Sequence, residues 1–341
     1  MQKKKRKLLL NSLVSDQKFS LYAILSFYEL MKRLEIQGPA RFAFDYLRKW
    51  QNQYCNGRGE ELTVVMVALA FPNIHLEPEP PYCYAEIAPF GRAHFYRELM
   101  DRLKALSSDL RKELGLSRKD IQLFSNSRFP EKPMAWAAGL GFLGKNTLLI
   151  HPEIGSSMVL GGMIVNFAWD DEEAPVLPLQ SQCGDCRLCI QACPQGALRQ
   201  ENGLVLERCL QHLSSSETIW PGTVKAKWGR RFYGCELCQE VCPFYKRVSG
   251  PVSHFPGYLG PYVDLEHLLS LDPSALRAYL KPSVLGRSWI PVRALYRNAI
   301  IALQGQDFRA FEERLKSLAS GADELLADAA KWLLKQPRRK Q

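Results

Sequence analysis

Apolar residues in the first 170 positions recur with two periods. Between residues 17 and 35, Phe19, Leu21, Tyr22, Ile24, Leu25, Tyr28, Leu30 and Leu34 fall among Glu29, Lys32 and Arg33 in the pattern of one amphipathic helix. A second helix is expected over Phe42 to Gln51. Leu62 to Phe71 is apolar and β-branched, is closed by Pro72, and predicts a buried strand. His94 to Leu114 sets Phe95, Leu99, Leu103, Leu106 and Leu110 on one stripe, ended by Gly115, and predicts a long helix. Ile121 to Phe124 predicts a short strand. A helical stretch from about Glu131 leads into Gly139-Leu-Gly-Phe-Leu-Gly-Lys-Asn146, and strands are expected at Thr147 to Ile150 and Ser157 to Asn166. The acidic, proline-bearing run Asp170 to Pro178 marks one boundary, and Pro251, Pro256, Gly257, Gly260 and Pro261 mark another. Beyond it, Ala294 to Leu303, Phe308 to Leu318 and Leu325 to Leu334 are spaced like short paired helices. The fold class is therefore α+β: a mixed α/β unit over 1–170, a cysteine-rich unit over 171–255 and a helical unit over 256–341.

Length and composition agree with this division. The 341 residues are about twice the usual span of one domain, and 46% apolar with 23% charged residues excludes disordered, collagenous and coiled-coil classes. The longest strongly apolar run, Val64 to Phe71, is far short of the roughly 20 residues of a membrane-spanning helix. Met1 to Leu10 is basic but has no small-residue cleavage site after it, so a cytoplasmic chain is expected. Of the net charge of +10, nearly all comes from Lys3, Lys4, Lys5, Arg6, Lys7, Lys335, Arg338, Arg339 and Lys340 at the two ends. Two internal stretches change that picture. Arg277, Lys281, Arg287, Arg293 and Arg297 stand among Tyr279, Trp289 and Tyr296 with no acid between Pro273 and Gln306, and Lys225, Lys227, Arg230 and Arg231 flank Trp228 and Phe232. Such stretches either contact phosphates and stack bases or form a solvated basic face.

Cysteine spacing carries the strongest chemical signal. Cys55 and Cys83 are isolated, whereas the other eight of ten fall between Cys183 and Cys242. Cys183-Gly-Asp-Cys186-Arg-Leu-Cys189-Ile-Gln-Ala-Cys193-Pro194 is a CxxCxxCxxxCP run. Three of its thiolates can wrap one 4Fe-4S cubane, while the cysteine before proline reaches a second cluster. Cys235-Glu-Leu-Cys238-Gln-Glu-Val-Cys242-Pro243 repeats the run without one ligand, and Cys209 is the natural replacement. The expected ligand sets are Cys183, Cys186, Cys189 and Cys242 for one cluster, and Cys193, Cys209, Cys235 and Cys238 for the other. Paired CxxC motifs also suit zinc, but zinc leaves the CxxxCP at both runs unexplained. Two neighbouring clusters imply electron transfer.

The glycine-rich segment continuing to Leu149, then Gly155-Ser156, Leu160-Gly161, the two cysteine runs joined by Arg208-Cys209, and Tyr233-Gly-Cys235 resemble, in that order, the epoxyqueuosine reductase family. The likeness extends more loosely to Arg293-Ala-Leu-Tyr-Arg-Asn-Ala299. The resemblance implies a cobalamin-dependent oxidoreductase of the reductive-dehalogenase kind, acting on a modified nucleoside of tRNA. It would carry a corrinoid-binding N-terminal domain, a bacterial ferredoxin-like domain with two 4Fe-4S clusters and a HEAT-like helical-repeat domain that helps bind tRNA. An electron-donor protein such as a flavodoxin or ferredoxin is implied as a partner.

Carried over position by position, the resemblance places corrinoid contacts at Leu149, Leu160, Gln211, Cys235, Glu236, Leu237 and Cys238. Gln211 stands where the family has a serine. Gly139, Gly141 and Gly144 would let the backbone approach a large ring, or else serve turns. The family's aspartate proton donor falls on Ser125, which takes the catalytic position without carboxylic acidity. Glu131 matches a family glutamate and is the nearest carboxylate; Tyr84, Tyr96 and His94 are candidate substitute donors. These departures leave open a divergent epoxyqueuosine reductase, a paralogous reductase with another substrate, or a two-cluster electron carrier.

Overall fold

The computed structural model describes residues 3–36, 41–54, 62–73, 83–168, 180–199, 203–246, 248 and 254–337. In chain order its elements are α1 (Lys3–Asp16), β1 (Leu21–Ser26), α2 (Phe27–Ile36), α3 (Arg41–Tyr54), β2 (Thr63–Ala70), β3 (Tyr84–Ile87), α4 (Phe95–Leu114), β4 (Ile121–Ser125), α5 (Glu131–Ala137), β5 (Phe142–Leu143), β6 (Leu149–Ile150) and β7 (Met158–Val165). There follow α6 (Leu188–Ala192), α7 (Leu210–Leu213), α8 (Gly222–Ala226), β8 (Arg231–Tyr233), α9 (Leu237–Glu240), β9 (Tyr262–Asp264), α10 (Leu265–Ser270), α11 (Pro273–Leu280), α12 (Val292–Ala302), α13 (Glu312–Ala319) and α14 (Glu324–Leu334). The class is α+β.

The chain forms two compact units, residues 1–71 with 95–185, and residues 72–94 with 186–341. In the first, an antiparallel sheet has the order β1-β2-β7-β4. Residues on β2 and β7 alternate between two buried faces, as strand geometry requires. Val64 opposite Ile164 and Ala68 opposite Leu160 join the core that α2 and α5 cover. Val65, Val67 and Leu69 point the other way, where α4 packs on β2, β4 and β7 with its buried stripe of Phe95, Leu99, Leu103, Leu106 and Leu110. Gly162 lets β7 close on its neighbours, since a Cβ there would stand 2.3 Å from the Val65 carbonyl oxygen and 2.8 Å from the Phe124 ring.

One predicted element is corrected. The stripe from 17 to 35 is not a single helix: Leu21–Ser26 is a strand paired residue for residue with β2, from Leu21 opposite Ala68 to Ser26 opposite Thr63. Lys18, at φ 53°, turns the chain ahead of it. The Ser26 hydroxyl then accepts the Glu29 N–H at 3.0 Å and caps α2. The basic start, read from sequence only as a charged tail, is helical, with Leu10 and Val14 buried and α1 packed against α4. The expected strand at Thr147 to Ile150 shortens to β6, because Thr147 adopts φ 65°.

The second unit crosses the boundary expected near residue 170. Its small sheet has the order β8-β3-β9, with β3 in the middle, parallel to β8 and antiparallel to β9. Segment 72–94 therefore belongs with the C-terminal half. Cysteine-rich and helical parts also share one core, in which Leu210, Trp220, Trp228 and Phe232 join Leu268, Leu295, Ile300 and Leu333. The segment Asp170 to Pro178, Cys55 and the basic residues from Arg338 onward lie outside the described residues. Among the described residues, no helix is long and apolar enough to cross a membrane.

Candidate functional site

Both cysteine runs fold in the same local way. In each, a one-turn helix carries the inner thiol, Cys189 on α6 and Cys238 on α9, and a Cys-Pro pair follows. Cys193 takes an extended conformation (φ −68°, ψ 111°), as a residue before proline must. The two helices pack on each other. Cys209 opens α7, where its carbonyl accepts the Leu213 N–H. Burial, and then the charges of Cys235, Cys209, Cys189 and Cys193, push the Cys238 thiol up to about 12. Burial likewise raises Cys235, with the Arg231 guanidinium pulling it back. These are thiols gathered at one place that ionise together only when cations enter among them. Among the described residues no three His, Cys, Asp or Glu side chains converge closely enough to share one metal ion. A cubane, with a ligand on each iron, spreads its thiolates wider than one tetrahedral zinc does.

Polar groups without partners accompany these thiols. Glu236 is 4% exposed, and the Phe90 backbone N–H faces its carboxyl without forming a well-aligned hydrogen bond to either oxygen. Burial pushes its carboxyl up to about 8 against the pull of the buried Arg92 guanidinium, whose own value burial lowers to about 10. Gln211 hydrogen-bonds Tyr233, while its Oε1 is buried and unpartnered. Gly234, at φ 88°, holds the Tyr-Gly-Cys turn against Ala88 and Phe90, where a Cβ would meet carbon atoms at 2.6 and 2.7 Å.

In the first unit, Ser125 ends β4 opposite Gly161, and its hydroxyl donates to the Leu160 carbonyl at 3.0 Å. Asn126 follows at φ 47°. Glu131 Oε1 accepts both the Ser127 N–H at 2.9 Å and the Ser127 hydroxyl at 3.0 Å, and burial pushes its carboxyl up to about 7. Leu149 and Leu160 are buried in the core beneath α5, so their side chains are committed to packing. The glycines have local duties. Gly139 takes φ 82°, and Cβ atoms at Gly141 and Gly144 would meet the Ile150 carbonyl oxygen at 2.5 Å and Ile150 Cδ1 at 2.6 Å. What the glycine-rich segment does contact is the cysteine run: Lys145 N–H donates to Cys183 Sγ at 3.4 Å and its ammonium to the Gly184 carbonyl. Of the candidate substitute donors, Tyr84 OH accepts from Arg230, and His94 Nε2 accepts from Arg287 Nε at 2.9 Å.

Comparison with known proteins matches residues 182–245 to the 4Fe-4S double cluster binding domain. The epoxyqueuosine reductase of Lactococcus garvieae is 29% identical over 282 residues, covering 80% of this chain and 78% of that protein. The enzyme of the same name from Bacillus anthracis is 32% identical over 253 residues, covering 71% of this chain and 63% of that protein. Along most of its length the chain is thus similar to epoxyqueuosine reductases. The fold agrees: the structure of epoxyqueuosine reductase from Streptococcus thermophilus superposes with a TM-score of 0.75 at 22% identity, over 97% of this chain and 90% of that one. A further structure, of an epoxyqueuosine reductase with an epoxyqueuosine-modified tRNA stem loop, gives 0.71 at 22% identity, over 98% and 100%.

The two basic–aromatic stretches singled out in the sequence separate into structural and exposed parts. Arg297 is 1% exposed; it donates to the carbonyls of Leu213, Ser216 and Thr218 and lies 3.6 Å from the Trp220 ring centroid. Tyr296 is buried with its hydroxyl on the Leu269 and Leu271 carbonyls, and Arg293 is paired with Asp323 and Glu217. Trp228 and Phe232 are fully buried, and Lys225 pairs with Asp328. Arg277, Tyr279, Lys281 and Trp289 remain exposed. Sequence alone could not make this division, because a buried arginine serving carbonyls and an exposed one awaiting phosphate read alike.

Proposed function

We propose that this chain reduces epoxyqueuosine to queuosine in tRNA, using two 4Fe-4S clusters and cobalamin. The gathering of Cys189, Cys193, Cys209 and Cys235 about Cys238 carries the reading, in a chain whose relatives bear that enzyme's name. The residues fit a corrinoid: the carboxamides around such a ring both donate and accept, and Gln211 Oε1 and the Glu236 carboxyl are buried polar groups with unspent hydrogen-bonding capacity beside the thiols. When bound, cobalamin supplies a strongly reducing cobalt able to remove an epoxide oxygen.

Removing that oxygen to leave an alkene takes two electrons and two protons and releases water. The thiolates of Cys183, Cys186, Cys189 and Cys242 hold one cluster, and those of Cys193, Cys209, Cys235 and Cys238 the other. Electrons come from a small carrier protein such as a flavodoxin or ferredoxin. Ser125, with its hydroxyl on the Leu160 carbonyl, has no acidic proton to give. Glu131, raised to about 7, is the carboxyl of that loop that keeps a proton near neutral pH. Exposed Arg277, Tyr279, Lys281 and Trp289 offer phosphate and stacking contacts to the tRNA.

The test is anaerobic reconstitution with iron, sulfide and cobalamin, then incubation under reducing conditions with epoxyqueuosine-containing tRNA and mass spectrometry of the nucleosides. Conversion to queuosine is expected. Ser125 favours a second reading, a paralogous reductase with another substrate, and full iron with bound corrinoid but no conversion would decide for it.

A further inference from the structure

Six buried side-chain nitrogen or oxygen atoms among the described residues have no hydrogen-bond partner, and four of them belong to Gln195, Gln211 and Glu236. Each of these residues follows, by one or two positions, a cysteine assigned to the same cluster: Cys193, Cys209 and Cys235. Gln211 Oε1 is an acceptor, and the protonated Glu236 carboxyl, the second and third atoms, offers one acceptor and one donor. The fourth, Gln195 Nε2, is a donor. A buried N–H left without an acceptor bears the full cost of its lost hydration, so an acceptor is to be expected beside it.

Residues 193–197 form a turn that already directs a donor at sulfur: the Ala197 N–H reaches Cys193 Sγ at 3.2 Å. The Gly196 N–H is spent on the Cys193 carbonyl at 3.1 Å, and Pro194 has no N–H. The Gln195 side-chain amide is a buried, uncommitted donor in this turn. In the second run, Cys242-Pro243 is followed by Phe244, whose side chain offers no donor. N–H···S hydrogen bonds stabilise the more negative, reduced form of a cluster and raise its reduction potential.

We propose that the Gln195 side-chain amide donates a hydrogen bond to a sulfur of the cluster held by Cys193, Cys209, Cys235 and Cys238. That bond adds to the Ala197 N–H on Cys193 and raises the potential of this cluster above the value it would have without the Gln195 donor, as the Lys145 N–H on Cys183 does for its neighbour. The inference rests on the two-cluster reading above.

The experiment is an anaerobic redox titration of the full reconstituted chain, followed by electron paramagnetic resonance, with iron and sulfide counted in each sample. The wild type is expected to hold eight irons and to show two separate one-electron midpoints. In Gln195→Met, of similar length but without a side-chain N–H, one of the two midpoints falls by a tenfold change in the reduction equilibrium, 59 mV for one electron, and the other stays. The reciprocal Phe244→Gln raises one midpoint, the one that Gln195→Met leaves in place, and it carries the test if Gln195→Met loses iron. Midpoints unmoved in variants with full iron, or both moved equally, overturn the proposal. A wild type short of eight irons instead overturns the two-cluster reading.

Discussion

Cys238 is the most burdened thiol of the site, pushed up to about 12 by burial and by the four cysteines around it. Cys238→Ala is expected to halve the iron bound after reconstitution, from eight per chain to four; an unchanged count would reject its place as a ligand. Glu131 gives a second prediction at this scale. Its native value, about 7, lies above the ordinary 4.5, so between these pH values the folded chain holds a proton that the unfolded chain has released. Its contribution to stability is full below the unfolded value and is lost as pH rises through about 7. Denaturant midpoints at pH 5 and pH 8 are expected to differ more in the wild type than in Glu131→Gln. The cysteines were legible because ligand spacing is a local property of the chain. Gln211 and Glu236 were legible only through resemblance. Gln195, Lys145 and Arg92 carried no signal, since burial and an unfilled or filled hydrogen bond are what single them out.

Among the elements, α4, β2, β7 and the last three helices followed from their apolar periods. β1 did not, because its residues continue the stripe of α2 and only pairing with β2 divides strand from helix. β3, β8 and β9, of three or four residues each, are too short for a period to register. Close packing at β7 makes Gly162→Ala costly. The added methyl would press on the Val65 carbonyl and the Phe124 ring, and a loss of about 1–3 kcal/mol in denaturant unfolding is expected. Arg297 on α12 invites the wrong experiment if read as a tRNA contact. Arg297→Ala would leave three carbonyls without their donor and is expected to lower stability by about 3 kcal/mol. In preparations that stay folded, tRNA affinity should hold.

For the whole molecule, net charge says little about tRNA, since most of it lies at the two ends and the interior basic stretches are partly consumed by structure. The exposed pair on and beside α11 is the sharper test. Replacing Arg277 and Lys281 with Ala should weaken tRNA binding and reduce the slope of log affinity against log salt by about one per lost phosphate contact, with iron content unchanged. An unaltered slope would remove that surface from the interface. The domain boundaries read from sequence assumed that each unit is one continuous stretch. Strand β3 breaks that assumption: it is laid down early in the chain and completes a sheet whose other members arrive about 145 and 178 residues later. A ribosome must therefore release nearly the whole polypeptide before the C-terminal unit can close. Residues 186–341 made alone would present an open slot between two edge strands, ready to capture any passing strand of suitable sequence. A synthetic peptide spanning 83–94 should fill that slot and rescue the fragment's solubility.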